Sequence, residues 1–203
     1  MSLIDVLERS QELGFLGPNP VEAHVAHALG FAGLVDEPPE RFLDLGSGGG
    51  VPGLVLAVEA WPSATGVLLD AGERRVAFLE EAVEGLRLAS RLSVVRARAE
   101  IAGRDEALRG SVDVVVARSF AAPPVTAECA APFLRAGGTL VVSEPPAELG
   151  RGDRWPAPGL ALVGLEPVAA VAEPHAFRSF RQEIPCSERY PRREGIPSKR
   201  PLW

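Results

Sequence analysis

The residues whose chemistry can be read most directly run from Phe42 to Gly53: Phe-Leu-Asp-Leu-Gly-Ser-Gly-Gly-Gly-Val-Pro-Gly. A buried strand leads into a glycine-rich turn, and Pro52 suits the opening position of a helix. Glycines at such a turn let backbone N–H groups approach a ligand that a Cβ would hold off. Gly48, Gly50 and Gly53 spell the G-x-G-x-x-G of a dinucleotide site, with Asp70 at a suitable distance beyond. Asp44 points to a different ligand. A carboxylate at the end of the first strand, just ahead of the first glycine, repels a pyrophosphate but suits the ammonium group of a methionine moiety. The frame D-x-G-x-G-x-G, from Asp44 through Gly46 and Gly48 to Gly50, therefore favours S-adenosylmethionine, with Asp70 holding the ribose hydroxyls. No G-K-[ST] occurs in the chain, which removes a nucleotide triphosphatase.

The elements that must position this loop follow from hydrophobic patterning. Short apolar runs at Arg41–Leu45, Gly66–Asp70, Leu92–Arg96, Val112–Ala117 and Thr139–Ser143 predict strands. Pro52–Ala60, Gly72–Leu88, a short piece near Glu106 and Pro123–Leu134 predict the helices between them, the last stopped by Gly137-Gly138. Strands alternating with crossover helices imply an α/β fold with a mostly parallel, doubly wound, Rossmann-like sheet. Leu160–Leu165 and Ala176–Ile184 are expected to add an antiparallel hairpin at its C-terminal edge, after a long loop at residues 144–158. Ahead of the sheet, Ser2 is placed to cap a helix running toward Glu12, and a second helix is expected from Val21 to Leu34. The expected organisation is one domain over 1–203: a helical extension (1–36), the Rossmann-like core (40–185) and a basic tail (186–203). Arg118 directly follows the apolar run Val114–Ala117, at the carboxyl end of a parallel strand, where such sheets bind their ligands.

Charge is unevenly spread. Residues 1–173 carry 14 basic against 24 acidic side chains, net −10, whereas residues 174–203 carry seven against three, net +4. A basic tail on an acidic body is either a phosphate-contacting element or a solvated terminus. As phosphate contacts, Arg192, Arg193 and Lys199 are the candidates. No apolar stretch approaches the length of a membrane helix, and the N-terminus lacks the basic-then-apolar order of a signal peptide, so a cytoplasmic chain without membrane partner is expected. Cys129 and Cys186 have no CxxC spacing and are expected to be reduced structural thiols. His24 and His27 form H-x-x-H with no third ligand nearby in sequence, so no metal is expected. Trp61, Trp155 and Trp203 read first as packing residues, with Trp155 also a candidate base-stacking surface.

Together these stretches resemble the bacterial small-subunit ribosomal RNA guanine-N7 methyltransferases, the RsmG or GidB family. The likeness is carried by Leu16-Gly17-Pro18 with His27, by Asp44–Gly53, and by Leu69-Asp70 with Arg74, Arg75, Phe78 and Leu79. Arg98-Ala99-Glu100, Ala117-Arg118, Gly137-Gly138 and the run from Tyr190-Pro191-Arg192-Arg193 to Gly195-Ile196-Pro197-Ser198-Lys199 continue it in order. The resemblance implies a class I methyltransferase fold, S-adenosylmethionine as cofactor, and ribosomal RNA or the small ribosomal subunit as partner. It further implies that Gly46 and Val51 line the methionine end of the cofactor site, that Ala99 and Glu100 flank the adenine, and that Arg118 sits beside the methyl group as the catalytic residue. The implied target atom, guanine N7, carries a lone pair and no proton, so no general base is required.

The chain departs from the family in three places. It lacks a Trp-Asn segment in the N-terminal region, Ser119-Phe120 differs slightly after the arginine, and Ser143-Glu144-Pro145-Pro146 stands where a Lys-Gly pair is usual. The last change puts an acid near the expected substrate mouth. It keeps two alternatives open: a small-molecule methyltransferase with 144–158 as a lid, and a non-catalytic cofactor-binding homologue.

Overall fold

The computed structural model describes residues 1–145 and 153–203. Its seven-stranded sheet comprises β1 (Arg41–Leu45), β2 (Thr65–Asp70), β3 (Leu92–Arg96), β4 (Val112–Ala117), β5 (Leu134–Ser143), β6 (Leu165–Val171) and β7 (Phe177–Gln182). The order across it is β3-β2-β1-β4-β5-β7-β6. The first five strands are parallel, and β7 runs antiparallel between β5 and β6. Strand order therefore reverses between β1 and β4, which pair with Asp44 opposite Val116.

Apart from Arg41, Asp44 and Asp113, β1 and β4 are apolar without alternation because both sheet faces are covered. Leu43, Leu45, Val115 and Leu140 enter one core with Phe133 and Phe180, while Phe42, Val114, Val116 and Val141 enter the other with Leu7, Phe31 and Phe78. The second core is roofed by α1 (Leu3–Glu12), α2 (Val21–Ala32), α3 (Gly53–Val55, running on as a π-turn over Leu56–Ala60) and α4 (Glu73–Gly85). The first lies under α5 (Ala99–Ala102), α6 (Pro123–Ala130) and α7 (Ala157–Ala161). Ser2 does cap α1: its Oγ accepts from the Asp5 N–H while the Asp5 carboxylate accepts from the Ser2 N–H, a reciprocal capping box.

Three element expectations are corrected. The helix expected over Pro123–Leu134 ends by Phe133, and Gly137-Gly138 lie inside β5 instead of stopping that helix. Leu160–Leu165 is not a strand: Pro156 and Pro158 open α7 there, and β6 begins only at Leu165, after Gly164 at φ +80°. A short apolar run fits a buried helix as well as a strand, and Leu160 and Val163 are buried either way. The helix expected near Glu106 lies earlier, as α5, and residues 105–109 form a turn in which the Arg109 N–H donates to Asp105 O at 2.8 Å. Of the expected loop 144–158, residues 146–152, including Pro146, lie outside the described residues.

The segment after β7 folds back instead of extending into solvent. Arg109 donates to Cys186 O and Tyr190 O, Arg104 donates to Pro191 O, and Tyr190 is fully buried. Its last helix, α8 (Ile196–Lys199), rests against α6. Among the described residues no helix is long and apolar enough to cross a membrane.

Candidate active site

The carboxyl ends of β1 to β5 open onto two adjoining clefts, at the edge of the sheet where strand order reverses and where such sheets bind ligands. One, of about 260 Å³, lies over β1, β2 and β3 and is lined by Gly46, Asp70, Ala99 and Glu100, with Cys129 and Ser198 from the far side. The other, of about 370 Å³, lies over β4 and β5 and is lined by His27, Arg118, Thr126, Glu144, Arg154 and Trp155. Ser119, Phe120 and Ala121 border both, so the turn after β4 is a shared wall.

The glycine loop forms the floor of the smaller cleft. Gly46 (φ +75°) needs to be glycine, since a Cβ there would stand 2.7 Å from the Phe120 ring and fill the space between loop and wall. The N–H groups of Gly46 and Ser47 donate to Leu69 O, that of Gly50 to Ser47 O, and that of Gly48 to Asp70 Oδ2. Spent internally, they form no open array for a pyrophosphate, which sets aside the dinucleotide reading of G-x-G-x-x-G. Behind the loop, Ser10 of α1 donates to Gly49 O at 3.0 Å. The N-terminal helix therefore buttresses the cleft, a role no sequence motif announces.

Asp44 lies elsewhere than expected. Its side chain is completely buried beneath the loop and does not line the cleft. Oδ2 accepts the Gly53 N–H at 2.9 Å, because the unpaired donors of the helix start draw the carboxylate. Oδ1 has no partner. Burial raises its pKa to about 7, opposed by the Gly53 hydrogen bond and the nearby Arg118 charge. Asp70 does reach the cleft, but both its oxygens are engaged, by the Gly48 N–H at 2.9 Å and the Gly72 N–H at 2.7 Å. Gly48, Gly50 and Val51 shape the loop without lining the cleft, whereas Gly46, Ala99 and Glu100 line it. Glu100 is buried, and its Oε1 accepts the Gly195 N–H at 3.0 Å, so the tail closes this cleft from the outside.

Arg118 stands in the larger cleft. Its Nη2 meets His24 Nδ1 at 2.9 Å, while its Nη1 is buried without a partner among the described residues. Burial lowers its pKa, and Asp44 opposes that shift. His27 borders the same cleft, and burial first, then the Arg118 charge, pushes its imidazole down to about 4. The acid at position 144 presents no free charge: its oxygens accept from Arg154 Nη1 at 2.6 Å and Trp155 Nε1 at 2.9 Å. Trp155 itself is buried against Phe180, with ring centroids 4.7 Å apart, and is a packing residue.

The three tail cations separate. Arg192 is not free to meet a phosphate: Nε and Nη2 grip the carboxylate of Glu128, which is 0% exposed, and the Arg192 N–H donates to it at 2.8 Å. A buried carboxylate holds a guanidinium more strongly than solvent does once the pair is fully hydrogen-bonded. Arg193 and Lys199 are exposed. Glu128 was not visible as a functional acid in sequence, since α6 reads as an apolar helix and its partner lies 64 residues on.

A glycine loop after the first of five parallel strands, beneath clefts at the carboxyl edge of a 3-2-1-4-5-7-6 sheet, defines the class I methyltransferase fold. The fold is shared with Aeropyrum pernix fibrillarin, solved with natively bound S-adenosyl-L-methionine (TM-score 0.59, 20% identity, 76% of this chain and 73% of that one). It is shared too with geranyl diphosphate methyltransferase in complex with S-adenosylmethionine (TM-score 0.60, 12% identity, 80% and 87%). Residues 18–144 match the GidB family, described as rRNA small subunit methyltransferase G, and the chain belongs to that family. It is 36% identical over 178 residues to ribosomal RNA small subunit methyltransferase G of Synechococcus sp. strain WH7803, covering 81% of this chain and 66% of that protein. Against the protein of the same name from Rubrobacter xylanophilus it is 39% identical, covering 80% of this chain and 65% of the relative. The chain thus spans about two thirds of the length of these curated relatives.

Proposed function

We propose that this chain transfers a methyl group from S-adenosylmethionine to guanine N7 of small-subunit ribosomal RNA, in the cytoplasm. The observation that carries the reading is the shared wall: in a chain of this family, Arg118 heads a turn that borders both clefts and keeps one buried N–H unpartnered. The residues fit the cofactor. Gly46 leaves a cradle that a Cβ would fill, Asp70 stands at the end of β2, and Ala99 and Glu100 face the same space from α5. When bound, S-adenosylmethionine supplies a sulfonium methyl as electrophile.

The protein's own part is binding and alignment. The larger cleft offers donors more than a base. His27 is neutral near neutral pH, and Arg118 Nη1 is suited to guanine O6, next to the reacting N7 on the same edge of the base. No proton leaves N7, so none of these groups need accept one. Arg193 and Lys199, exposed on the tail that closes the cofactor cleft, are the candidates for RNA phosphates. Methylation of small-subunit RNA by purified protein with labelled donor, followed by mass spectrometry of the nucleosides, tests the reading. Label in 7-methylguanosine is the expected result. Transfer only to small molecules, or none, overturns it.

A further inference from the structure

We propose that His24 is a positioning residue for Arg118, acting as a one-tautomer bracket between the main chain and the guanidinium. Helical spacing places His24 and His27 on one face of α2, three residues apart, toward the end of β4. The His24 ring is 3% exposed. Its Nε2 lies 3.0 Å from Gly17 O, which only accepts, so Nε2 carries the proton. Nδ1 then has a free lone pair and accepts from Arg118 Nη2 at 2.9 Å. Arginine only donates, so both ends of the ring demand the same tautomer. The main-chain anchor is itself held. Gln11 Nε2 donates to Gly17 O and to Asn19 O, each at 2.6 Å, tying the 17–19 turn to α1.

The bracket decides what Arg118 has left to offer. With Nη2 committed to His24, Nη1 remains as the buried, unpartnered donor in the larger cleft. His24 thus fixes which guanidinium nitrogen faces the cleft without touching substrate, and its effect on turnover rests on the methyltransferase reading above.

Two measurements test the bracket. In 15N-labelled protein at neutral pH, the His24 ring should carry its proton on Nε2, and Arg118→Met should move the Nδ1 resonance to that of an unbonded nitrogen. A proton on Nδ1, or an Nδ1 resonance indifferent to Arg118→Met, overturns the proposal. In transfer to small-subunit RNA at saturating donor, His24→Leu should lower turnover about tenfold, the loss expected when a buried donor is left unpaired. His24→Asn, which keeps an acceptor for the guanidinium, should recover most of the loss. Equal turnover of the Leu and Asn variants overturns it. Should His24→Leu not fold, the ring spectrum decides. If the parent protein methylates no RNA, the functional reading fails on its own and the ring spectrum still decides the contact.

Discussion

Asp44 shows how burial turns a residue chosen for its charge into one that titrates. Its pKa is about 7 in the folded protein, against an ordinary value of 3.8. Below about pH 4 both folded and unfolded chains hold the proton, and Asp44 makes no difference. Between about 4 and 7 only the folded chain holds it, so its contribution to stability falls as pH rises and stays low above 7. Asp44→Asn keeps an acceptor for the Gly53 N–H and removes the charge. Melting temperatures of parent and variant should therefore diverge in the variant's favour from pH 4 to pH 7 and run parallel above that. A difference that is constant from pH 4 to 8 would show that the buried charge is not the cause. Arg118 is the complementary case, a cation whose donor geometry matters more than its charge. Arg118→Lys keeps the charge, but one ammonium cannot serve both His24 and the cleft from the guanidinium's two positions. Turnover on RNA should drop about tenfold while donor affinity, read by calorimetry, changes much less. A collapse of donor affinity with normal turnover would place Arg118 on the cofactor instead.

The elements were legible wherever the chain is buried on both sides. Arg41–Leu45 and Val112–Ala117 are strands with the bounds that their apolar runs predict, because parallel strands under two helical layers have no polar face to blur their ends. The glycine loop was legible for the same kind of reason, since positive φ and close approach leave few residue choices. What escaped depends on contacts distant in sequence. Nothing near Ser10 announces Gly49, and nothing near Glu128 announces Arg192. Leu160–Leu165 escaped because six apolar-rich residues satisfy either period. The Glu128–Arg192 pair gives this scale its prediction. Arg192→Ala leaves a buried carboxylate alone, which costs about 3 to 5 kcal/mol and should be read as a lowered urea midpoint. Adding Glu128→Gln should return part of that loss. Because Ser198 lines the smaller cleft and the Gly195 N–H holds Glu100 in it, Arg192→Ala should also weaken donor binding if that cleft takes the cofactor as proposed. An unchanged midpoint would mean that the pair does not hold the tail.

On the scale of the whole molecule, an acidic body carries a basic last thirty residues, and the structure sorts those cations by what already holds them. Arg192 is paired internally, whereas Arg189, Arg193, Lys199 and Arg200 are exposed on a segment that also closes the smaller cleft. A polyanion bound there would lie beside the smaller cleft, which Ser198 of the same segment lines, and an otherwise acidic body would repel it elsewhere. The double substitution of Arg193 and Lys199 by Ala should therefore reduce the slope of log RNA affinity against log salt by about 0.7 to 0.9 for each phosphate that is no longer neutralised. Melting temperature and donor affinity should stay at the parent values, because neither side chain is packed. Arg192→Ala should do the reverse, lowering stability while any residual RNA affinity keeps its salt slope. Should the double variant lose stability and keep its slope, the exposed cations would be fixing the tail to the domain, and the phosphate-binding groups would have to be sought on the cleft lining at Arg75 and Arg98.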